Sequence, residues 1–116
     1  MHICGDLGPN DLSIWKDLDY KTVNWDLHVE KVTSLAQGRT FFKPGTTLMG
    51  GFDHHQGTLL YTGSKEEIQS YTKGMLESAG QQNLVISSDC SIHYSLPSER
   101  IHWVIEALEQ YAEAHK

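Results

Sequence analysis

The sequence predicts an α/β fold of about four β/α units. Three observations carry this prediction. Short apolar runs alternate with stretches of helical periodicity along the whole chain. Glycine and proline punctuate the joins between them. One apolar run, Leu84-Val85-Ile86, lacks the polar–apolar alternation of a half-buried strand and suits a parallel sheet buried on both faces.

The elements follow in order. His2-Ile3-Cys4-Gly5 reads as the exit of a strand, after which Gly5, Gly8 and Pro9 break the chain. Asn10 or Asp11 is placed to cap a short helix to about Leu18, with Leu12, Ile14, Trp15 and Leu18 apolar. Thr22-Val23-Asn24-Trp25 is a short strand. A helix is expected from about Leu27 to Gln37, stopped by Gly38 at C′. Thr46-Thr47-Leu48-Met49 is a third strand, ending at Gly50-Gly51.

Ser64 and Glu67 have capping-box spacing. Ile68, Tyr71, Thr72, Met75, Leu76 and Ala79 then fall on one helical face, and Gly80 ends the helix. Asn83 to Ser87 is a buried strand. Pro97 is expected as the first residue of the last helix, whose apolar stripe is Ile101, Val104, Ile105, Leu108, Tyr111 and Ala112. Trp15, Trp25 and Trp103 are assigned to the core.

Four units make half of an eight-unit barrel, or a small open sheet. The chain has 116 residues, and a complete barrel needs roughly 250. Because it opens directly on a strand exit, it reads as the C-terminal portion of something larger. A separate four-stranded α/β protein is the alternative.

Composition narrows the partners. Hydrophobic residues at 39% and charged residues at 21% suit a packed globular chain rather than a disordered one. Fifteen acidic residues against nine basic ones argue against nucleic acid or an anionic membrane as the main partner. No run approaches the roughly 18 apolar residues of a membrane span. No basic segment followed by an apolar run marks a signal peptide. Two cysteines cannot build a multiply bridged secreted scaffold. A cytoplasmic location is therefore expected.

Functional groups of α/β units collect at the carboxyl ends of strands. Three segments lie there: His2-Ile3-Cys4-Gly5, Gly50-Gly51-Phe52-Asp53-His54-His55 and Ser88-Asp89-Cys90-Ser91-Ile92-His93. They hold both cysteines and four of the seven histidines. His2 and Cys4 are two apart on an extended segment, so alternation turns their side chains to one side. With Cys90 they make a His/Cys/Cys set, whose imidazole and thiolates suit zinc. Three protein ligands leave an open position, as catalytic zinc requires. Asp26 and His93 share the rim as candidate fourth ligands, beside water or a substrate thiol.

Other readings of these residues stand beside that one. A lone cysteine is commonly a small buried hydrophobe. A Cys4–Cys90 disulfide is disfavoured in a cytoplasmic chain. Adjacent residues on an extended strand point apart, so His54-His55 reads as an exposed loop or substrate contacts rather than a metal pair. His28, His102 and His115 read as surface helix positions.

The motifs His2-Ile3-Cys4-Gly5, Val23-Asn24-Trp25-Asp26, Met49-Gly50-Gly51-Phe52-Asp53, Ser64-Lys65-Glu66-Glu67-Ile68 and Ser88-Asp89-Cys90 followed by Leu96-Pro97 resemble the C-terminal portion of the uroporphyrinogen decarboxylase superfamily. They look closest to its zinc-dependent methylcobalamin:coenzyme M methyltransferase branch. The resemblance implies the C-terminal half of a TIM-type (β/α)8 barrel with its site on the carboxyl rim. It implies zinc on His2, Cys4 and Cys90, activating a thiol for methyl transfer from a corrinoid. It also makes Gly50 and Asp53 candidate substrate-binding residues, beside His54 from the adjoining loop, and a corrinoid protein a candidate partner.

The metal-free decarboxylase branch, which acts on a tetrapyrrole, carries Gly-Asn-Leu-Asp and Gly-His-Gly motifs. Here the chain has Gly50-Gly51-Phe52-Asp53 and Asp89-Cys90-Ser91. These departures count against porphyrinogen decarboxylation, the alternative chemistry. The resemblance also places the decarboxylase's catalytic carboxylate in a preceding half-barrel, so the chain alone is expected to be inactive. An unclosed sheet exposes strand edges, which predicts self-association into a homo-oligomer.

Overall fold

The structure is a computed structural model. It describes residues 1–5, 9–17, 19 and 21–115. Gly8, expected to break the chain, and Leu18, expected to end the first helix, lie outside the described residues.

Four parallel strands form one sheet: β1 (His2–Ile3), β2 (Thr22–Trp25), β3 (Thr47–Phe52) and β4 (Leu84–Ser88). Their spatial order is their chain order. The register pairs His2 with Asn24, Asn24 with Met49 and Met49 with Val85. Parallel neighbours need crossovers. Helix α1 (Leu35–Phe41) joins β2 to β3, helices α2 (Leu59–Thr62) and α3 (Lys65–Ala79) join β3 to β4, and α4 (Ser98–Ala114) follows β4. The chain measures 37 × 36 × 18 Å. The short axis is the thickness of one sheet and one helical layer, at roughly 10 Å per layer. This α/β architecture is consistent with part of a TIM-type barrel. Among the described residues, no helix is long and apolar enough to cross a membrane.

The core lies between the layers. Val23, Trp25, Leu48 and Phe52 leave the sheet on the helical side and are almost completely buried. Trp25 stacks obliquely on Phe42, and Phe52 on Tyr71, with ring centroids 5.0 and 5.1 Å apart. Trp15 and Trp103 pack against this core half-buried. The capping box at the start of α3 is complete: Glu67 N–H donates to Ser64 Oγ at 3.1 Å, and Ser64 N–H to Glu67 Oε1 at 3.0 Å.

Several elements differ from expectation. The second helix spans Leu35–Phe41 rather than Leu27–Gln37. Asp26 turns the chain at 27–30 instead: its carbonyl accepts from Val29 and Glu30 N–H, and its Oδ1 from His28 N–H. Ser34 caps the helix through Gln37 N–H at 3.0 Å. Gly38 therefore sits inside α1 rather than after it. It is needed there for space, because a Cβ would stand 2.6 Å from Trp25 Cη2. Gly38→Ala is thus expected to destabilise the fold by about 1–3 kcal/mol through overpacking, despite alanine's better helix propensity. Urea unfolding measures this, and an unchanged midpoint would refute the packing role.

Strand β3 runs through Gly50 and Gly51 to Phe52, past the expected end at Gly50-Gly51. Both glycines take positive φ, +145° and +125°, conformations that side-chain-bearing residues avoid. Strand β4 is not fully buried, and Val85 is 44% exposed. It is the last strand of the sheet, so one of its faces and one of its edges are uncovered among the described residues. The four-residue α2 was not expected. Pro97 stands at the N-cap of α4, one residue before the helix begins.

Candidate metal centre

The site grows from the sheet face opposite the helices. Ile3 is buried while its neighbours His2 and Cys4 are exposed, as alternation along an extended segment requires. In a flat sheet β1 and β4 would lie three strand spacings apart, roughly 14 Å. The side chains and the segment after β4 close that gap. Cys90 Sγ comes within 3.5 Å of His2 Nε2. One donor atom each from His2, Cys4 and Cys90 lies within 4.8 Å of the others. They border an open hollow of about 460 Å³ whose floor is Asn24, Met49 and Ser87.

Asn24 organises this corner. Its Nδ2 donates to Met49 O at 2.8 Å and to Ser88 O at 3.4 Å, which ties β2 to β3 and β4. Carbonyls only accept, so the amide oxygen must face His2, where Oδ1 stands 2.5 Å from Nδ1. His2 therefore donates from Nδ1 and carries its lone pair on Nε2, the nitrogen that faces Cys90. Metal-binding histidines are commonly oriented by such a second hydrogen bond.

The donor set fits zinc. With bonds of about 2.0–2.1 Å to nitrogen and 2.3 Å to sulfur, a tetrahedral N–S edge is roughly 3.6 Å. The observed 3.5 Å between His2 Nε2 and Cys90 Sγ matches that edge. Asp26 and His93 do not join this group. His93 Nδ1 is 2.7 Å from Ser95 Oγ, and Asp26 belongs to a second cluster.

That second cluster occupies the carboxyl ends of β2, β3 and β4. Asp89 is fully buried. Its Oδ1 accepts from Gly51 N–H at 3.0 Å, and its Oδ2 lies 2.6 Å from His28 Nδ1. The hydrogen bond that His28 donates to Asp89 raises the His28 pKa above its ordinary value. Burial pushes the Asp89 carboxyl up, while the His28 ring and the Gly51 amide pull it down. Tyr71 donates to Gly51 O at 2.6 Å, and burial pushes its phenol up to about 12. His28 was expected as a surface helix position; it is exposed, but it stands in the Asp26 turn rather than in a helix, and it is paired to Asp89.

Asp26 is also fully buried. Its Oδ2 accepts no hydrogen bond and lies 3.7 Å from His54 Nδ1. Donor atoms of Asp26, His54 and His55 lie within 4.8 Å of one another. The rings of His54 and His55 do not point apart as expected of strand neighbours. Their centroids are 4.1 Å apart, because the strand has ended at Phe52. Asp53 turns back on His55, accepting from its N–H at 3.0 Å and from its Nδ1 at 2.5 Å. Gly50 lies between the two clusters, where a Cβ would meet Asp89 Oδ1 at 3.2 Å and Asn24 Nδ2 at 3.4 Å.

No curated protein matches the chain. Residues 1–111 match the family model described as uroporphyrinogen decarboxylase (URO-D).

Proposed function

The chain belongs to the uroporphyrinogen decarboxylase (URO-D) family, and on that premise we propose that it carries the thiol-activating centre of a zinc-dependent methyltransferase, in the C-terminal part of a barrel. The observation that carries this reading is the convergence of His2, Cys4 and Cys90 within 4.8 Å. Bound zinc would supply Lewis acidity that keeps a substrate thiol as its nucleophilic thiolate at neutral pH.

The chain's own residues have distinct parts in this reading. Asn24 fixes the His2 ring and its tautomer. Cys4 and Cys90 supply the soft donors. The open hollow beside them leaves room for a small substrate thiol, and a methyl-bearing corrinoid would have to present its methyl from the solvent side. Gly50 lies on the substrate side, leaving room where a side chain would meet Asn24 and Asp89.

Cobalt substitution of the reduced chain tests the centre directly. The expected result is a strong sulfur-to-cobalt charge-transfer band that shifts when a simple alkane thiol is added. A reduced, folded chain that shows no thiolate-bound cobalt would overturn the reading. Porphyrinogen decarboxylation that ignores chelators would assign the chain to metal-free chemistry instead.

A further inference from the structure

We propose that Asp26, His54 and His55 form a second divalent-cation site, taking a transition metal of the zinc or iron class. It is chemically distinct from the thiolate centre and does not depend on that centre being a zinc site.

The first observation is Asp26 Oδ2. It is a carboxylate oxygen with no hydrogen-bond donor, on a side chain only 1% exposed. Leaving a charged oxygen buried without a donor is strongly unfavourable. The other oxygen of the same carboxylate is satisfied by His28 N–H at 3.0 Å, so the group is fixed rather than free to turn outward. Oδ2 is aimed at His54 Nδ1, and their 3.7 Å separation is too long for a hydrogen bond. It is near the roughly 3.4 Å edge of two hard donors sharing one tetrahedral ion with bonds of about 2.1 Å.

The second observation is the state of His55. Its Nδ1 donates to the Asp53 carboxylate at 2.5 Å, which puts the ring's lone pair on Nε2. A carboxylate behind a histidine is the usual support of a histidine that binds metal. The third observation is the side-by-side arrangement of the two rings, with centroids 4.1 Å apart. Two imidazoles and one carboxylate are the donor set of mononuclear iron and zinc sites with open positions. His55 is half exposed, which gives an ion and an oxygen ligand a way in.

The test uses the full chain and Co2+ alone. The Cys4→Ser/Cys90→Ser variant removes the thiolates, and it is expected to retain one bound cobalt per chain, without a sulfur charge-transfer band. Adding His55→Ala should weaken that binding at least tenfold. Asp53→Asn, which touches only the support of His55, should weaken it about 10–100-fold. His55 and Asp53 lie toward solvent, and circular dichroism confirms that these variants fold. The proposal is overturned if the folded double-serine variant binds no cobalt, or if its cobalt affinity is unchanged by His55→Ala. Failure of the thiolate centre would appear separately, as a wild-type chain that binds cobalt without the sulfur band.

Discussion

Cys90→Ser is expected to weaken zinc binding about 10²–10³-fold. A four-ligand structural zinc is worth about 10–16 kcal/mol, so one thiolate carries about 3–4 kcal/mol, and each 1.4 kcal/mol is a factor of ten. The serine hydroxyl stays protonated at neutral pH and is a poor substitute for a thiolate. Cys4→Ser should have an effect of the same size, because both sulfurs belong to one donor group. Asn24→Ala should fall below both, at about 10–100-fold, since it removes the partner of a ligand rather than a ligand. Competition against a chromophoric chelator ranks the three. If the cysteine variants keep the sulfur-to-cobalt band of the unchanged chain undiminished, the thiolate centre is disproved.

Asp89→Ala is expected to remove about 1–3 kcal/mol of folding stability, because it leaves a buried backbone N–H without its acceptor. Asp89 is fully buried and serves two donors on different strands and turns. Alanine leaves Gly51 N–H unsatisfied at a point where the backbone is already at φ +125°. It also takes the carboxylate partner from the partly exposed His28. The melting temperature should fall by about 3–20 °C for a chain of this size. Asp89→Asn keeps an acceptor for Gly51 and should lose distinctly less. Equal losses for alanine and asparagine would mean that the charge on Asp89 contributes nothing to the fold.

The parallel sheet and the two long helices were legible because their signals are local. A capping box at Ser64 and an apolar stripe need only neighbouring residues. Gly38 misled for a physical reason: a glycine that stops a helix and a glycine that lets a tryptophan approach look the same in one dimension. The Ser34-x-x-Gln37 spacing was the signal that could have moved the helix to its observed start. The grouping of His2, Cys4 and Cys90 was readable from parallel strands sharing one rim. The His28–Asp89 pair was not, since it joins residues 61 apart with no periodicity to mark it. The burial of Asp26 was equally silent, for it depends on how the turn after β2 folds over the strand ends.

The sheet whose spatial order repeats its chain order has a consequence for synthesis. Each strand pairs with the one that left the ribosome just before it. Among the described strands none has to wait for a distant partner, so the entropic penalty of closing a long loop is met in small instalments. Growth of the sheet can therefore keep pace with translation, each new β/α segment using the last as its template.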